Sequence, residues 1–578
     1  MGVRSRNRRV SILSVSKKNF RNIERIVRSM TAERLAAASL ELESTGKTTD
    51  DGVKEILRSL SLYGHRQPMS REGRLTMRRK IQSNIVGQGV PAIWFTLNPN
   101  DITNPVKLRL AAYLTHDPQE AEAFLEGLEN AYKRTRLAIS DPMSSAVFFH
   151  REMALFFETY VNVGGESVFG RISHYFAAVE TNERGALHVH GLLWLHGNAH
   201  LGSVLADVKG EDEAACKERV IGYVDSVFTE DLDAEAFCAL QAERSVVADI
   251  SSKLENIDQF SSAFEEEANF CAGATQIHTH SATCVKYSLG KQRQKGSMCR
   301  FKAPWKLVEK TCFTDEGILK IRRTHPMVNR WNKAIAVGLR HNHDISFIAT
   351  QQKTMALIYY VTNYSTKVED PIWKRAVTAA ELLPSMSGDN AATEGEGVGG
   401  SGGMIERANE NRTRQFLMKV ANRVFTERPL SQVEVVAHLL GYPSEFSNSS
   451  AWAYLNTSVL YWHIFRRLFV PWEAFLCEER GDMNNIWTRA REALSPRISC
   501  LVENVQLLRR SAEDAKRDAK QWAASSADDD GTAVHFEEGG PAEATGEAPG
   551  DRGLDRVDDN DTAARPVPAL GAQLGGRT

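Results

Sequence analysis

The sequence lacks any apolar run that could cross a membrane. A spanning helix needs about 18 or more apolar residues, and no such stretch occurs in the 578 residues. The charged N-terminus also lacks the apolar core of a secretory signal. Cysteine is scarce and dispersed, with eight in all, which argues against a disulfide framework. We therefore expect an intracellular, reduced protein with no membrane partner.

A phosphate-binding loop is missing too. The nearest match is Thr45-Gly46-Lys47-Thr48, but the Walker pattern requires a glycine where this chain has Glu41. No predicted strand leads into the segment either. We expect this chain neither to hydrolyse ATP nor to unwind DNA.

Charge of neither sign dominates, since the net charge is −2. The distribution is uneven, because the first thirty residues are strongly basic and the tail is acidic. A basic arm suits contact with a phosphate backbone. A solvated or nuclear-targeting arm is an equally good interpretation.

The chain does contain a histidine pair inside an apolar run, Glu180-Thr-Asn-Glu-Arg-Gly-Ala-Leu-His-Val-His-Gly-Leu-Leu-Trp-Leu195. Side chains alternate along a strand, so His188 and His190 share one face. The side chains that point into a core are Leu187, Val189, Leu193 and Leu195. The segment Ile172 to Glu180 predicts a second strand. The residues between the two strands suit a hairpin loop with Gly185 in the left-handed position. Such a loop sets a strand register in which Glu180 lies opposite His188.

Two imidazoles and a carboxylate form a ligand set that fits Mg²⁺ or Mn²⁺ better than a closed zinc site. The alternative is a pair of half-exposed polar residues. The chain contains three His-x-His pairs: the first pair is His188/His190, the second pair His278/His280 and the third pair His341/His343. Only the first pair is predicted to lie in an apolar strand beside an acidic one.

A second candidate element is the segment from Gln351 to Lys367, whose pattern predicts a helix. Residues three, four and seven apart share a helical face, so Tyr360, Tyr364 and Lys367 line one stripe. A tyrosine phenol can attack a DNA phosphodiester when a metal polarises the phosphate. Two core aromatics with polar tips are the alternative interpretation.

These motifs together resemble the replication-initiator-type (HUH) nuclease domain of Helitron transposon proteins, the Helitron helicase-like domain. The resemblance extends from about Val90 to about Arg510. The segments that carry it are Phe95-Thr-Leu-Asn-Pro-Asn-Asp101, Glu180 to Trp194, His278-Thr-His280 with Cys284, Cys299-Arg-Phe-Lys-Ala-Pro304, His325-Pro-Met-Val-Asn329 before Asp344-Ile345, and Tyr360 to Lys367. The chain departs from the family at Asn182, Leu187 and Asn363, where the family usually has Gln, Pro and Lys.

The resemblance implies an α+β fold, with an HUH-type antiparallel sheet and flanking helices, followed by an all-helical region and a disordered tail. It also implies single-stranded DNA as a partner and the nucleus as the location. Asn98, Asp101 and Arg184 are candidate DNA-binding residues. The first two sit at an Asn-Pro turn, so helix capping or a plain turn is an alternative for them.

The resemblance further implies a structural Zn²⁺ site. His278, His280, Cys284 and Cys299 are its candidate ligands, in a basic segment that also contains Cys271 and Cys312. Ordinary buried thiols and loop histidines are the alternative.

The predicted organisation has four parts. They are a basic, mostly helical region over 1–89, a nuclease domain over 90–370 with a Cys/His-rich insertion around 271–312, a helical region over 371–523 with a flexible loop at 384–403, and a disordered acidic tail over 524–578.

The sequence thus predicts a metal-dependent single-strand DNA endonuclease and strand transferase of rolling-circle transposition. His188, His190 and Glu180 would hold Mg²⁺ or Mn²⁺, Tyr360 or Tyr364 would form a 5′-phosphotyrosyl link, and Lys367 would assist. A helicase would come from another chain. The alternative is a truncated transposon remnant that binds DNA or a partner without cutting.

Overall fold

A computed structural model of the chain describes residues 20–64, 70–114, 116–128, 131–182, 185–197, 211–243, 250–280, 299, 303–314, 319–348, 372–384, 402–426 and 430–449. The fold is α+β, as predicted. The described residues form two compact units, and each unit draws on separate parts of the chain. The first unit takes them from Met1–Arg79 and Thr366–Leu430, and the second from Lys80–Ser365 and Ser431–Phe536.

The first unit is helical. Its helices are α1 Phe20–Arg28, α2 Ala32–Thr45, α3 Asp51–Gly64, the first part of α4 Arg71–Gln88, α13 Ile372–Leu382 and α14 Gly402–Thr426. Their apolar stripes meet in one core, which includes Ile23, Leu35, Ile56, Phe416 and Val420. Within it the carboxylate of Glu72 is ion-paired with Arg375, and both side chains are buried.

The segment that resembles a phosphate-binding loop is the end of a helix. Gly46 adopts φ 71° and its N–H donates to the carbonyl of Leu42, which closes α2. The Thr48 hydroxyl and the Thr49 backbone N–H both donate to the Glu41 carboxylate. A helix rather than a strand leads into the loop, unlike the strand that precedes a phosphate-binding loop.

The second unit is built on a five-stranded antiparallel sheet with strand order β6-β1-β3-β2-β7. Its strands are β1 Ile93–Asn98, β2 Ile172–Thr181, β3 Leu187–Leu195, β6 Asn342–Phe347 and β7 Glu445–Ser447, and a separate ribbon pairs β4 Cys312–Phe313 with β5 Leu319–Lys320. The segment Phe95–Asp101, one of those that carry the family resemblance, therefore begins on an inner strand of the sheet. The short strand β7 was not predicted.

Helices flank this sheet. They are α5 Pro105–Tyr113, α6 Pro118–Glu126, α7 Ala131–Ser140, α8 Pro142–Leu155 with a π-helical extension Phe156–Val161, α9 Glu211–Val227, α10 Ala234–Glu243, α11 Ile257–Thr275 after a 3₁₀ turn Ser251–Lys253, α12 Lys333–Leu339 and α15 Gln432–Leu439. Among the described residues, no helix is both long enough and apolar enough to cross a membrane.

The two faces of β3 differ in chemistry, as the alternation predicts. Leu187, Val189 and Leu193 belong to the apolar core of the unit, together with Phe95 of β1 and Phe156 of the π-helical segment. The even-numbered residues face the other way. The sheet therefore presents the first histidine pair on a rigid surface that is anchored from behind by a packed core.

The hairpin between β2 and β3 has the predicted register, with Glu180 opposite His188. Gly185 adopts φ 78°, and its N–H donates to the carbonyl of Asn182. An L-residue with a side chain rarely adopts this φ. The glycine thus lets the chain turn tightly enough to align the acidic residue with the histidines.

Candidate metal centre

The first pair and the predicted carboxylate converge. His188 Nε2 and His190 Nε2 are 2.9 Å apart, and Glu180 Oε2 is 3.8 Å from His190 Nε2. All three side chains are buried. The two rings are almost perpendicular, with an interplanar angle of 87°, so their nitrogens point toward a common volume.

These separations fit a bound divalent ion. Two donor atoms that each lie about 2.1 Å from one ion are about 3.0 Å apart at a right angle and about 3.8 Å apart at roughly 130°. The observed distances of 2.9 and 3.8 Å match those values. Two neutral imidazoles and one carboxylate leave positions open for substrate oxygens.

Two residues of β1 fix the orientation of His190. The Thr96 hydroxyl lies 2.8 Å from His190 Nδ1, and the indole of Trp94 stacks on the imidazole with an interplanar angle of 3°. An Nδ1–H that donates to Thr96 leaves the Nε2 lone pair for a metal. The sequence analysis did not identify Trp94 or Thr96 as site residues, although Thr96 lies in the segment Phe95–Asp101 and Trp94 directly precedes it.

The face of the sheet that carries the first pair extends across β1 onto β6. Thr96 pairs with His190 on one side and with Asp344 on the other, so these three side chains form a row. Asp344 is exposed. In the neighbouring row the Asn98 amide donates to the Asn342 side-chain oxygen at 3.2 Å. The face thus offers further oxygen donors beside the histidines.

The third pair is engaged in hydrogen bonds within the protein. His341 Nε2 is 2.9 Å from a carboxylate oxygen of Glu152, and its Nδ1 accepts from the Asn100 backbone N–H. His343 accepts from the Asn332 N–H through Nε2 and donates through Nδ1 to the His341 carbonyl. Burial lowers the pKa of His343 to about 4. These hydrogen bonds favour a structural role for the third pair.

Two candidate DNA-binding residues lie at the end of β1 and in the loop that follows it. The Asn98 side chain donates to Asn342, and Asp101 is buried. The cap of α5 is Asn104, whose side chain accepts from the Val106 N–H. Neither Asn98 nor Asp101 therefore caps this helix.

A buried lysine lies in the first turn of α5. Burial lowers the pKa of Lys107, and the nearby carboxylates of Asp141 and Asp101 oppose that shift.

The other predicted site residues divide into two groups. His278, His280 and Cys299 are brought together, with ligand atoms within 4.8 Å of one another. Tyr360, Tyr364, Lys367, Cys284 and Arg184 lie outside the described residues, so their roles stay predictions.

A comparison with protein-family models gives a match at the N-terminal end. Residues 1–193 match the family model of the Helitron helicase-like domain at the N-terminus. The matched range contains Thr96, Glu180 and the first pair. No curated protein matches the chain. Residues 1–193 are therefore similar to the Helitron helicase-like domain, and this similarity supports a role related to Helitron transposons.

Proposed function

We propose that this chain, whose residues 1–193 are similar to the Helitron helicase-like domain, is a metal-dependent single-strand DNA endonuclease and strand transferase of rolling-circle type. The observation that carries the proposal is the convergence of Glu180, His188 and His190 from two paired strands. These residues would hold Mg²⁺ or Mn²⁺. When bound, the ion would polarise the scissile phosphate and stabilise its developing charge.

The protein's own residues prepare this site before substrate arrives. The core behind β3 supports the strand that carries the histidines. If the His190 Nδ1–H donates to the Thr96 hydroxyl, which lies 2.8 Å away, the ring is held in the tautomer that exposes Nε2. Glu180 supplies the negative charge that favours a divalent cation. Such preorganisation means that little rearrangement is needed when the transition state forms.

In the proposed reaction the phenol oxygen of Tyr360 or Tyr364 attacks the phosphorus in line. A tyrosyl O–P bond forms and the bond from phosphorus to the 3′ oxygen breaks. The phenol proton is lost and the leaving oxygen gains one, which gives a 5′-phosphotyrosyl link and a free 3′ hydroxyl. Lys367 would neutralise phosphate charge, and the second tyrosine would accept the second strand.

Chain length is compatible with this arrangement. β6 ends next to the start of β1, where the Ile348 N–H donates to the Ala92 carbonyl. The row that contains Asp344 and His190 lies four residues back along β6, or about 13 Å at roughly 3.3 Å per strand residue. The residues from Ile348 to Gln351 cover about 10 Å when extended, and the predicted helix adds about 14 Å up to Tyr360 at 1.5 Å per residue. The two together are long enough to span that distance.

The experiment is a cleavage assay with the full-length chain, end-labelled single-stranded DNA and Mn²⁺, analysed on a denaturing gel. We expect a covalent protein–DNA band that EDTA abolishes. His188→Ala and the Tyr360→Phe/Tyr364→Phe double variant should each lose it while retaining much of the DNA affinity. His174→Ala is the matched control, because His174 is a partly buried histidine of β2 outside the site.

DNA binding by the wild type without any metal-dependent covalent band, across several sequences and metals, would refute the proposal. The remaining interpretation would then be a non-catalytic transposon remnant. A band that persists in the tyrosine double variant would instead place the nucleophile elsewhere.

A further inference from the structure

A cavity of about 450 Å³ lies at the end of the sheet where β2 begins and where β3 and β6 end. We propose that this cavity is a nucleotide-binding site, in which two aromatic rings contact the base and two arginines bind the phosphate. The proposal does not depend on the nuclease function, because it concerns binding alone. It also involves no residue of the first site, which consists of the first pair and Glu180.

The cavity is on the core side of the sheet, whereas the first pair is on the opposite face. Leu195 and Phe347 line the cavity and pack against the apolar core of the unit. Leu195 lies five residues beyond His190 along β3, or about 17 Å at roughly 3.3 Å per strand residue. The cavity and the first site are therefore separate.

One wall of the cavity is a single face of α9. Cys216, Arg219, Val220 and Tyr223 line the cavity, and residues with these spacings share one side of a helix. Val220 is buried, whereas Arg219 is exposed. This wall is thus apolar at the floor of the cavity and cationic at the rim.

Two aromatic rings supply the apolar surface that a base needs. The ring centroids of Tyr223 and Phe347 are 5.6 Å apart, with an interplanar angle of 59°. The Tyr223 hydroxyl donates to the Phe169 carbonyl at 2.9 Å, which fixes its ring. A planar base that stacks on one ring meets the other at an angle, and aromatic groups favour both arrangements. Stacking of this kind tolerates any base.

The rim of the cavity is basic. Arg171 directly precedes β2 and His196 directly follows β3, and the His196 N–H donates to the Arg171 carbonyl at 2.9 Å. Among the described residues that line the cavity, two are arginines and none is acidic. A neighbouring cavity shares Arg171 and His196 but contains Glu166, so the two cavities differ in charge. Guanidinium groups bind phosphate through paired N–H donors.

The size and the mixed chemistry of the cavity fit a nucleotide. Small-molecule sites typically have volumes of about 300 to 1,000 Å³ and combine apolar walls with a few polar groups. Inorganic phosphate alone would leave the aromatic surface uncovered, and an apolar molecule alone would leave the arginines without an anion. A free nucleotide and a nucleotide unit of a single strand share the required chemistry, and competition between them identifies the ligand.

The test is isothermal titration calorimetry of the full-length chain with dAMP, deoxyadenosine and inorganic phosphate, in EDTA so that no metal takes part. We expect dAMP to bind more tightly than either of the other two. Arg171→Gln and Arg219→Gln should each weaken dAMP binding about 10-fold, because each removes a hydrogen bond to a charged group. Arg109→Gln is the matched control, since Arg109 is an exposed arginine on α5 outside the cavity.

Two further variants separate the parts of the proposal. Tyr223→Leu removes a stacking surface and should weaken dAMP binding at least about fivefold, with the affinity for inorganic phosphate unchanged. His188→Ala should bind dAMP as the wild type does, so failure of the nuclease function and failure of the cavity are distinguishable.

A short single strand that displaces dAMP would identify a nucleotide within a strand as the ligand, and one that does not would identify a free nucleotide. Both arginines are exposed, so their substitution should leave the fold intact. Three results would overturn the proposal: no binding of dAMP, equal affinity for dAMP and for deoxyadenosine or inorganic phosphate, or equal dAMP affinity in the wild type and both arginine variants.

Discussion

Thr96→Val is the most incisive perturbation of the proposed Mg²⁺ or Mn²⁺ site, because it changes one hydroxyl and leaves every ligand in place. The Thr96 hydroxyl lies 2.8 Å from His190 Nδ1, and in the proposed site it accepts from the Nδ1–H and so leaves the Nε2 lone pair for the ion. Valine has nearly the same shape, so the strand and the core behind it should be preserved. Only the orientation of the imidazole ring and the choice of the ring nitrogen that carries the proton would no longer be fixed.

The expected magnitude derives from the role of an outer-shell partner. Removal of such a partner typically weakens metal affinity about 10- to 100-fold, or roughly 1.4 to 2.8 kcal/mol. The buried position of His190 supports the upper part of that range, because an imidazole N–H without a partner is costly in a buried site. Global stability should fall by less, since a neutral hydrogen bond contributes about 0.5 to 1.5 kcal/mol.

The assay is a Mn²⁺ titration of the full-length chain, monitored by isothermal calorimetry or by the EPR signal of free Mn²⁺. Thr96→Ser keeps the hydroxyl and should bind within about threefold of the wild type, a difference of roughly 0.7 kcal/mol. Equal affinity in Thr96→Val and the wild type would refute the reasoning. It would show that the tautomer of His190 is set by another group or that the ion does not bind His190.

Three further outcomes are expected. Burial lowers the pKa of His150 to about 4 from the usual 6.5, so the unfolded chain binds more protons than the folded one between these values. This histidine should by itself contribute a loss of stability of about 2 kcal/mol between pH 7 and pH 5. His150→Phe should remove that loss in urea unfolding at the two pH values, and an unchanged pH dependence would contradict it. Gly191→Ala places a Cβ 2.3 Å from the Phe95 ring and should cost about 1 to 3 kcal/mol through overpacking; a melting temperature equal to that of the wild type would be evidence against this packing. Arg375→Met leaves the buried Glu72 carboxylate without its ion-pair partner and should cost about 3 to 5 kcal/mol, whereas adding Glu72→Gln should recover part of it; no recovery in the double variant would argue against a charge effect.

The local part of the first site could be predicted from the sequence. The alternation along β3 separates His190 from Val189, and the loop chemistry of Gly185 sets the register that brings Glu180 opposite His188. All of these features depend on neighbours within a short hairpin. Periodicity and turn preferences carry that information directly.

The outer part of the site could not be predicted in the same way. Thr96 reaches His190, and Asp344 reaches the same row, only because β1 pairs with β3 and β6, which are distant in the sequence. A shift of one residue in either pairing would turn these side chains to the opposite face. No pattern within a single strand specifies which distant strand it joins. The short strand β7 was missed for the same reason.

The three His-x-His pairs show why spacing alone does not define function. The spacing places two imidazoles on one side of an extended segment, and the partners brought in by the fold decide which ion, if any, the pair can bind. A carboxylate from the adjoining strand makes the first pair a site for a hard cation. A thiolate makes the second pair suited to Zn²⁺. Both ring nitrogens of the third pair's His343 are occupied by backbone groups, which leaves no lone pair for a metal.

A variant that exchanges the third donor of the first site, such as Glu180→Cys, should therefore shift the preference of that site from Mn²⁺ toward Zn²⁺. A titration in which the two ions compete would measure this shift. Unchanged selectivity would mean that the sheet geometry, rather than the third donor, chooses the ion.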